Sequence, residues 1–252
     1  MDLADIKDFL STPEGIFAVL FPLRIIIYGV LERLCTAHRF NARKVIVVDL
    51  ATTLFLVLFT LPIANRVIGW MGIGMAVPEA IATLPWFVRL LLFLVLADFA
   101  HYWVHRLMHH RVLWRVHRWH HAPTHMSWAA GNRESLPDAI LVNSAYAFFS
   151  PVIGSAPGLV FLGLMVFSTL KNDWMHLNVR WSLPWLEWLI VTPRYHHIHH
   201  SADPAHYNSN YGIIFSVWDR MFGTYTPPVQ QRDSLQFGIA DPPRLPRLFA
   251  GL

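Results

Sequence analysis

The stretch WFVRLLLFLVLADFAHYWV, residues 86–104, runs mostly apolar and then delivers His105. Its length is close to the ~20 residues that a membrane-spanning helix needs. Three more stretches share that character: 16–31 with its flanks, 45–70, and 139–166. The last contains SPVIGSAPG, whose prolines and glycines predict a hairpin of two shorter helices. The expected fold class is therefore all-α, an integral membrane helical bundle of about four to five membrane helices. Composition agrees, because only 14% of the residues are charged where aqueous domains carry roughly 25%.

The basic side chains orient this bundle. Arg33, Arg39, Arg43 and Lys44 fill the first loop, whereas residues 71–84 contain no Lys or Arg. The positive-inside rule places the first loop in the cytosol and the second outside. The third apolar stretch then delivers everything after about His101 to the cytosolic face. Lys171, Arg180, Arg194, Arg220, Arg232, Arg244 and Arg247 follow on the same side. The net charge of +4 is spread over arginines that flank apolar runs, so no nucleic-acid partner is expected. The acidic start MDLADIKDFL lacks the basic region of a cleavable signal. Residues 1–90 are expected to be N-terminal membrane helices, 91–226 to carry the chemistry, and 227–252 to form a Pro-rich, irregular tail. Arginines outnumber lysines 17 to 3, which, with no C-terminal retrieval signal in view, favours a bacterial inner membrane over the endoplasmic reticulum.

Of the 15 histidines, all but His38 fall between His101 and His206. His105 and His109 are four apart, and His117, His120 and His121 form H-x-x-H-H, as do His196, His199 and His200. Residues three and four apart share a helix face, so each group is expected to aim its imidazoles at one place. Thr192 and Pro193 read as N-cap and first residue of a short helix bearing the last group, and Asp203-Pro204 as its stop. Packed together without a metal, neutral imidazoles leave nitrogens unpaired, and protonated ones repel. Eight histidines exceed the four ligands of one zinc ion, which predicts a cytosolic cap with two metal ions. Imidazole alone leaves zinc, copper, iron and nickel open. The single cysteine, Cys35, excludes a disulfide framework and a cysteine-based metal site.

These groups, with NYGIIFSVWDRMFGTY (210–225), resemble the histidine boxes and the Asn-Tyr-Gly and Trp-Asp segment of the fatty acid hydroxylase superfamily. That superfamily includes sterol desaturases and alkylglycerol monooxygenase, and the resemblance covers roughly residues 93–226. It implies a membrane-bound non-haem di-iron oxygenase that hydroxylates or desaturates an aliphatic C–H position of a lipid. It further implies O₂ and an external electron donor, cytochrome b5-like or ferredoxin-like, as partners. The implied iron ligands are His105, His109, His117, His120, His121, His196, His199 and His200, with His176 as a ninth. Asp98, one to two turns before His105, is expected to orient a ligand imidazole through its free N–H, with Arg106 pairing either with Asp98 or with a lipid headgroup.

The remaining histidines are expected to stay outside the centre. His110 and His197 sit one position past a ligand and are expected at the surface; His101 occupies a position where the superfamily commonly has an aromatic; His125 and His206 lie off the pattern. Trp103, Trp119, Trp128 and Trp174 are expected to be interfacial or core residues, with a lipid-channel wall as the other role open to them. Two other classes of membrane protein use histidine differently. A metal transporter would place histidines along its spanning helices, and a b-type cytochrome would pair them on facing helices. The substrate remains open among fatty acyl chains, sterols, carotenoids, ether lipids and ceramides.

Overall fold

A computed structural model describes residues 13–154, 156–228 and 235–240. The acidic start and the tail from Asp241, with Arg232, Arg244 and Arg247, lie outside the described residues. Among the described residues the regular structure is helical, with three isolated β-bridges and no strand.

Helix α1 spans Pro13–Leu34 and α2 spans Ala42–Phe55. A π-turn at Leu56–Thr60 carries α2 into α3, Leu61–Met71. Pro62 has no N–H for the usual bond to residue 58 and its ring crowds that carbonyl, and the π-turn stands where this conflict falls. Helix α4 spans Trp86–Met108 and ends at the His109 C-cap. The hairpin expected from 139–166 is present as α6, Leu136–Phe149, and α7, Gly158–His176. Between them lie a 3-10 turn and Gly154 at φ 59, a left-handed position that suits glycine. With 14 residues, α6 is ~21 Å long at 1.5 Å per residue, short of the ~30 Å hydrocarbon core.

Two segments, Val45–Met71 and Trp86–Met108, are long and apolar enough to cross a membrane. Only 28% and 33% of their apolar windows are buried, and Val47, Leu58 and Leu91 point outward more than half exposed. A helix buried in a water-soluble core would hide those side chains; here the apolar faces are turned out.

Buried polar contacts tie the first 90 residues to the histidine-bearing half. The Arg24 guanidinium pairs with both Asp173 oxygens at 2.5 and 2.6 Å. Glu32 Oε1 accepts from the backbone N–H groups of Trp128 and Asn178. Asp49 accepts from Arg133 at 2.7 Å and lies 2.7 Å from His125 Nε2. Such charges are tolerated at this depth because each has a partner. The rest of the histidine-bearing half consists of α5 (Trp114–His117), α8 (Pro193–His199) and α9 (Val217–Met221), joined by turns.

Candidate metal centre

Helix α8 forms for the reasons its sequence suggests. The Thr192 side chain accepts from Tyr195 N, Pro193 opens the first turn, and His200 is the C-cap. Together with the end of α4, the turns after α5 and the end of α7, it brings nine imidazoles into two adjacent groups. One holds His105, His109, His117, His121 and His199; the other holds His120, His176, His196 and His200. Within each group the ligand atoms lie within 4.8 Å of one another.

The boxes therefore do not each serve one place, as their spacing suggested. His117 and His121 face the first group while His120 faces the second; His196 and His200 face the second while His199 faces the first. Both H-x-x-H-H boxes straddle the two groups. Adjacent ring pairs show how close these are: His121 and His200 stack with centroids 4.3 Å apart, His117 and His120 with centroids 4.9 Å apart.

Hydrogen bonds at the far side of the rings define which nitrogen is free. His105 Nδ1 is 2.9 Å from Tyr211 O, His199 Nδ1 is 2.8 Å from Ser209 O and His176 Nδ1 is 2.8 Å from Asn172 O. A carbonyl can only accept, so in these rings Nδ1 carries the proton and a neutral imidazole leaves Nε2 bare. Around the bare Nε2 of His176 stand the Nε2 atoms of His120, His196 and His200 at 3.3, 3.1 and 3.2 Å. At most one of the three can donate to that lone pair. The Nε2 atoms of His109, His121 and His199 are buried with no hydrogen-bond partner. Buried polar atoms are rarely left so. A cation satisfies them, and nitrogens 3.1–3.3 Å apart have the spacing of ligands about 2.0–2.1 Å from one ion. The donor set fits metal.

Burial holds His109, His120, His121, His196, His199 and His200 well below the ordinary imidazole range, and His117 at about 3. At neutral pH these rings are uncharged, the form that ligates.

Asp98 does not take the role expected of it. Its carboxylate accepts from Ile214 N and Phe215 N at 2.9 and 3.0 Å and from Trp218 Nε1 at 2.9 Å. The carboxylate beside a ligand ring is Asp138, whose Oδ2 is 2.9 Å from His117 Nδ1. Ser135, the N-cap of α6, accepts from Asp138 N and thereby sets it in the first turn. The S-x-x-D pattern announces that cap, but the reach to His117 is tertiary. Arg106 donates to Tyr102 OH and lies over the Trp103 ring rather than pairing with Asp98.

The segment after α8 supplies the carbonyl acceptors. Asn210, at φ 56, donates to Tyr195 O and accepts from Thr226 N, while Asp219 accepts from the N–H groups of Tyr211 and Gly212 and from Tyr195 OH. This pins Ser209 O and Tyr211 O against His199 and His105.

His197 is not at the surface: it is 2% exposed, with Nδ1 3.2 Å from His38 Nε2. The face of α8 turned from the metal groups is covered by His38 and Phe237. His110 is exposed, as expected. His101 belongs to neither group and lies 2.8 Å from Tyr146 OH; His125 is buried against Asp49; half-buried His206 is bonded to Ser201 Oγ. A cavity of about 190 Å³ adjoins the histidines, lined by His101, His105, His117, His120, His176 and His196 at one part. Trp103, Trp119, Trp128 and Trp174 are not among its lining residues; Trp128 and Trp174 pack in apolar clusters.

These observations define an all-helical protein organised around two buried histidine clusters able to bind metal. A profile of the fatty acid hydroxylase family matches residues 90–224, and the chain belongs to that family. It is similar to alkylglycerol monooxygenase of Xenopus tropicalis, 32% identical over 58% of this chain and 31% of the relative. It is also similar to ornithine lipid hydroxylase OlsE of Rhizobium tropici, 31% identical over 62% and 52% of the two chains. A third relative is the Delta(7)-sterol 5(6)-desaturase erg3C of Aspergillus fumigatus, 29% identical over 60% and 52%. The matched part spans about a third to a half of these relatives. No solved structure matches. The family is metal-dependent, and these three relatives are named as a monooxygenase, a hydroxylase and a desaturase.

Proposed function

We propose that this protein is a multi-pass membrane non-haem di-iron oxygenase that hydroxylates, or desaturates, an aliphatic C–H position of a lipid. Residues 91–226 form its catalytic part, and the histidine cap lies on the cytosolic face, most simply of a bacterial inner membrane. The observation that carries the reading is the pair of adjacent histidine groups opening on a cavity beside outward-facing apolar helices. A lipid C–H bond reaches such a site from the bilayer, while electrons from a cytochrome b5-like or ferredoxin-like donor reach it from water.

His105, His109, His117, His121 and His199 would hold one iron, and His120, His176, His196 and His200 the other. When bound, the irons supply O₂ activation with two external electrons; for hydroxylation, R–H + O₂ + 2e⁻ + 2H⁺ gives R–OH + H₂O. The chain's own contribution is orientation and exclusion of water. Ser209 O, Tyr211 O and Asn172 O fix the proton of three rings on Nδ1, and Asp138 does so for His117. Outer partners of this kind set ring orientation and ligand basicity. The relatives' names cover both outcomes, monooxygenase and desaturase.

The test is anaerobic purification with metal analysis, followed by lipid mass spectrometry after addition of O₂ and a reductant. Two irons per chain and a lipid that gains one oxygen or loses two hydrogens are expected. A single tightly held zinc in active protein overturns the di-iron assignment.

A further inference from the structure

The outward face of α4 carries Leu91, Val95 and Trp103, all exposed. Phe99 stands in the same row, at the four-residue spacing that shares a helix face, and is half-buried with α9 against it. Its ring lies 5.2 Å from that of Trp218 and 6.1 Å from that of Phe222, and Trp103 lies 4.9 Å from Phe222. Helix α9 therefore rests on the stripe that a spanning helix turns towards lipid.

The level at which it rests follows from Asp98, which accepts from Ile214 N, Phe215 N and Trp218 Nε1. Asp98 precedes His105 by seven residues, so it lies ~10 Å nearer the middle of α4 at 1.5 Å per residue. A second piece of the chain is tied in at that level. Val191 N donates to Ile214 O, and Ser216 N donates to Leu189 O.

The side chains of this second piece are sorted as lipid sorts them. Trp185, Trp188 and Leu189 are more than half exposed, as is Met221 at the end of α9. The one charged residue among 185–189, Glu187, is buried; it accepts from Thr192 Oγ1 at 3.0 Å, and Arg194 Nε lies 3.0 Å away. The Arg220 guanidinium lies over the Trp188 ring, 4.6 Å from its centroid. A turn that faces water does the reverse, with its charge outward and its tryptophans covered. Tryptophan is enriched where membrane meets water. A contiguous exposed apolar surface marks a contact with a membrane or another protein, and its continuity with the outward stripe of α4 selects the membrane.

We infer that residues 185–189 and α9 form a membrane anchor: an edge of the histidine-bearing cap sunk into the leaflet at the C-terminal end of α4, with lipid covering Trp185, Trp188, Leu189 and Met221. The inference rests on the reading that α4 spans the bilayer. The anchor is joined through residues 212–216 to Tyr211, whose carbonyl oxygen meets His105. The metal centre is thereby held to the membrane through the anchor as well as through α4.

The experiment uses the full iron-loaded chain carrying Cys35→Ser, in nanodiscs of phosphatidylcholine and phosphatidylglycerol. Trp185→Cys, Leu189→Cys, Met221→Cys, Leu91→Cys and Ala205→Cys are made one at a time and labelled with an environment-sensitive fluorophore. All five native side chains are exposed, and iron content confirms that each labelled protein keeps its fold. Quenching is measured with nitroxide-bearing lipid in the bilayer and with iodide in the water. Leu91 is the reference for a spanning helix, and Ala205, in an exposed turn beyond α8, the reference for water. The labels at 185, 189 and 221 should lose fluorescence to nitroxide lipid as the label at 91 does, and keep it in iodide. Iodide quenching at these three positions to the extent seen at 205 overturns the inference. Protection from both quenchers overturns it as well, because a second copy of the chain would then cover the patch. If the label at 91 is itself open to iodide and untouched by nitroxide lipid, the spanning reading of α4 fails instead.

Discussion

The Nδ1 atom of His105 lies 2.9 Å from the carbonyl oxygen of Tyr211, a residue 106 positions further along the chain. One ring nitrogen is thereby committed to the backbone and the other is turned into the metal centre. Tyr211 is itself held by Asp219 and flanked by the anchored Asn210, and the segment that follows is anchored on Asp98 through Ile214, Phe215 and Trp218.

Asp98 is therefore a positioning residue, and its replacement should act at a distance. Asp98→Asn keeps the shape but puts an N–H₂ where one of three N–H donors now points, so the 210–218 segment loses its anchor. Metal affinity or activity should fall by ~10–100-fold, the usual cost of losing an outer partner. Asp98→Glu, which keeps the charge, should recover part of the loss in iron titrations. Full metal affinity in Asp98→Asn would show that the segment needs no such anchor.

Substitution along α8 separates ligands from neighbours. His196→Ala, His199→Ala and His200→Ala should each lose iron and turnover together, whereas His197→Ala should keep two metals. Since His197 is buried against His38, its removal should cost about 1–3 kcal/mol of stability, visible as a lower Tm. Loss of iron in His197→Ala at undiminished Tm would move the ligand register by one residue.

Gly131 offers a selective lesion. A Cβ built there would fall 2.3 Å from the His176 ring, far inside contact distance, in a region where both residues are buried. Gly131→Ala should push His176 away from His120, His196 and His200 and lower the iron count from two towards one. Two irons with unchanged activity in this variant would mean that the ring shifts without losing its bond.

The metal-free protein should be acid-sensitive. His109, His120, His121, His196, His199 and His200 titrate below the unfolded value of ~6.5, and His117 at about 3. Between those limits the unfolded chain binds more protons, so stability is fully present above ~6.5 and declines as pH falls towards the folded values. Thermal melts of metal-free protein from pH 7.5 to 5 should show a steadily falling Tm. Iron should also be lost on acidification, because protons compete for the same nitrogens. A flat Tm profile would mean that these rings are open to solvent in the metal-free form.

Much of this architecture is written locally. The apolar lengths, the break at 150–157, the Thr192-Pro193 cap and the histidine spacing each depend on residues within a few positions, and each is found where the sequence places it. All nine histidines singled out as ligands converge on the two groups. Periodicity is a short-range property and survives whatever the rest of the chain does.

The division of labour among those residues is decided elsewhere. Spacing suggested one target per box, but His120 and His121 face different groups, because the chain leaves the helix at His117 and continues in turns. His197 looked solvent-facing on its own helix and is covered by residues from the other end of the chain. Asp98 lies seven residues before His105 and Asp138 lies 21 after His117, yet only Asp138 reaches a ligand ring. A helix register determines which side of itself a residue occupies, not what stands opposite. Which carbonyl meets which imidazole, and which polar groups share the cavity, follow from how α1, α4, α6, α7 and α8 pack, and that is set by burial summed over contacts between segments far apart in the chain.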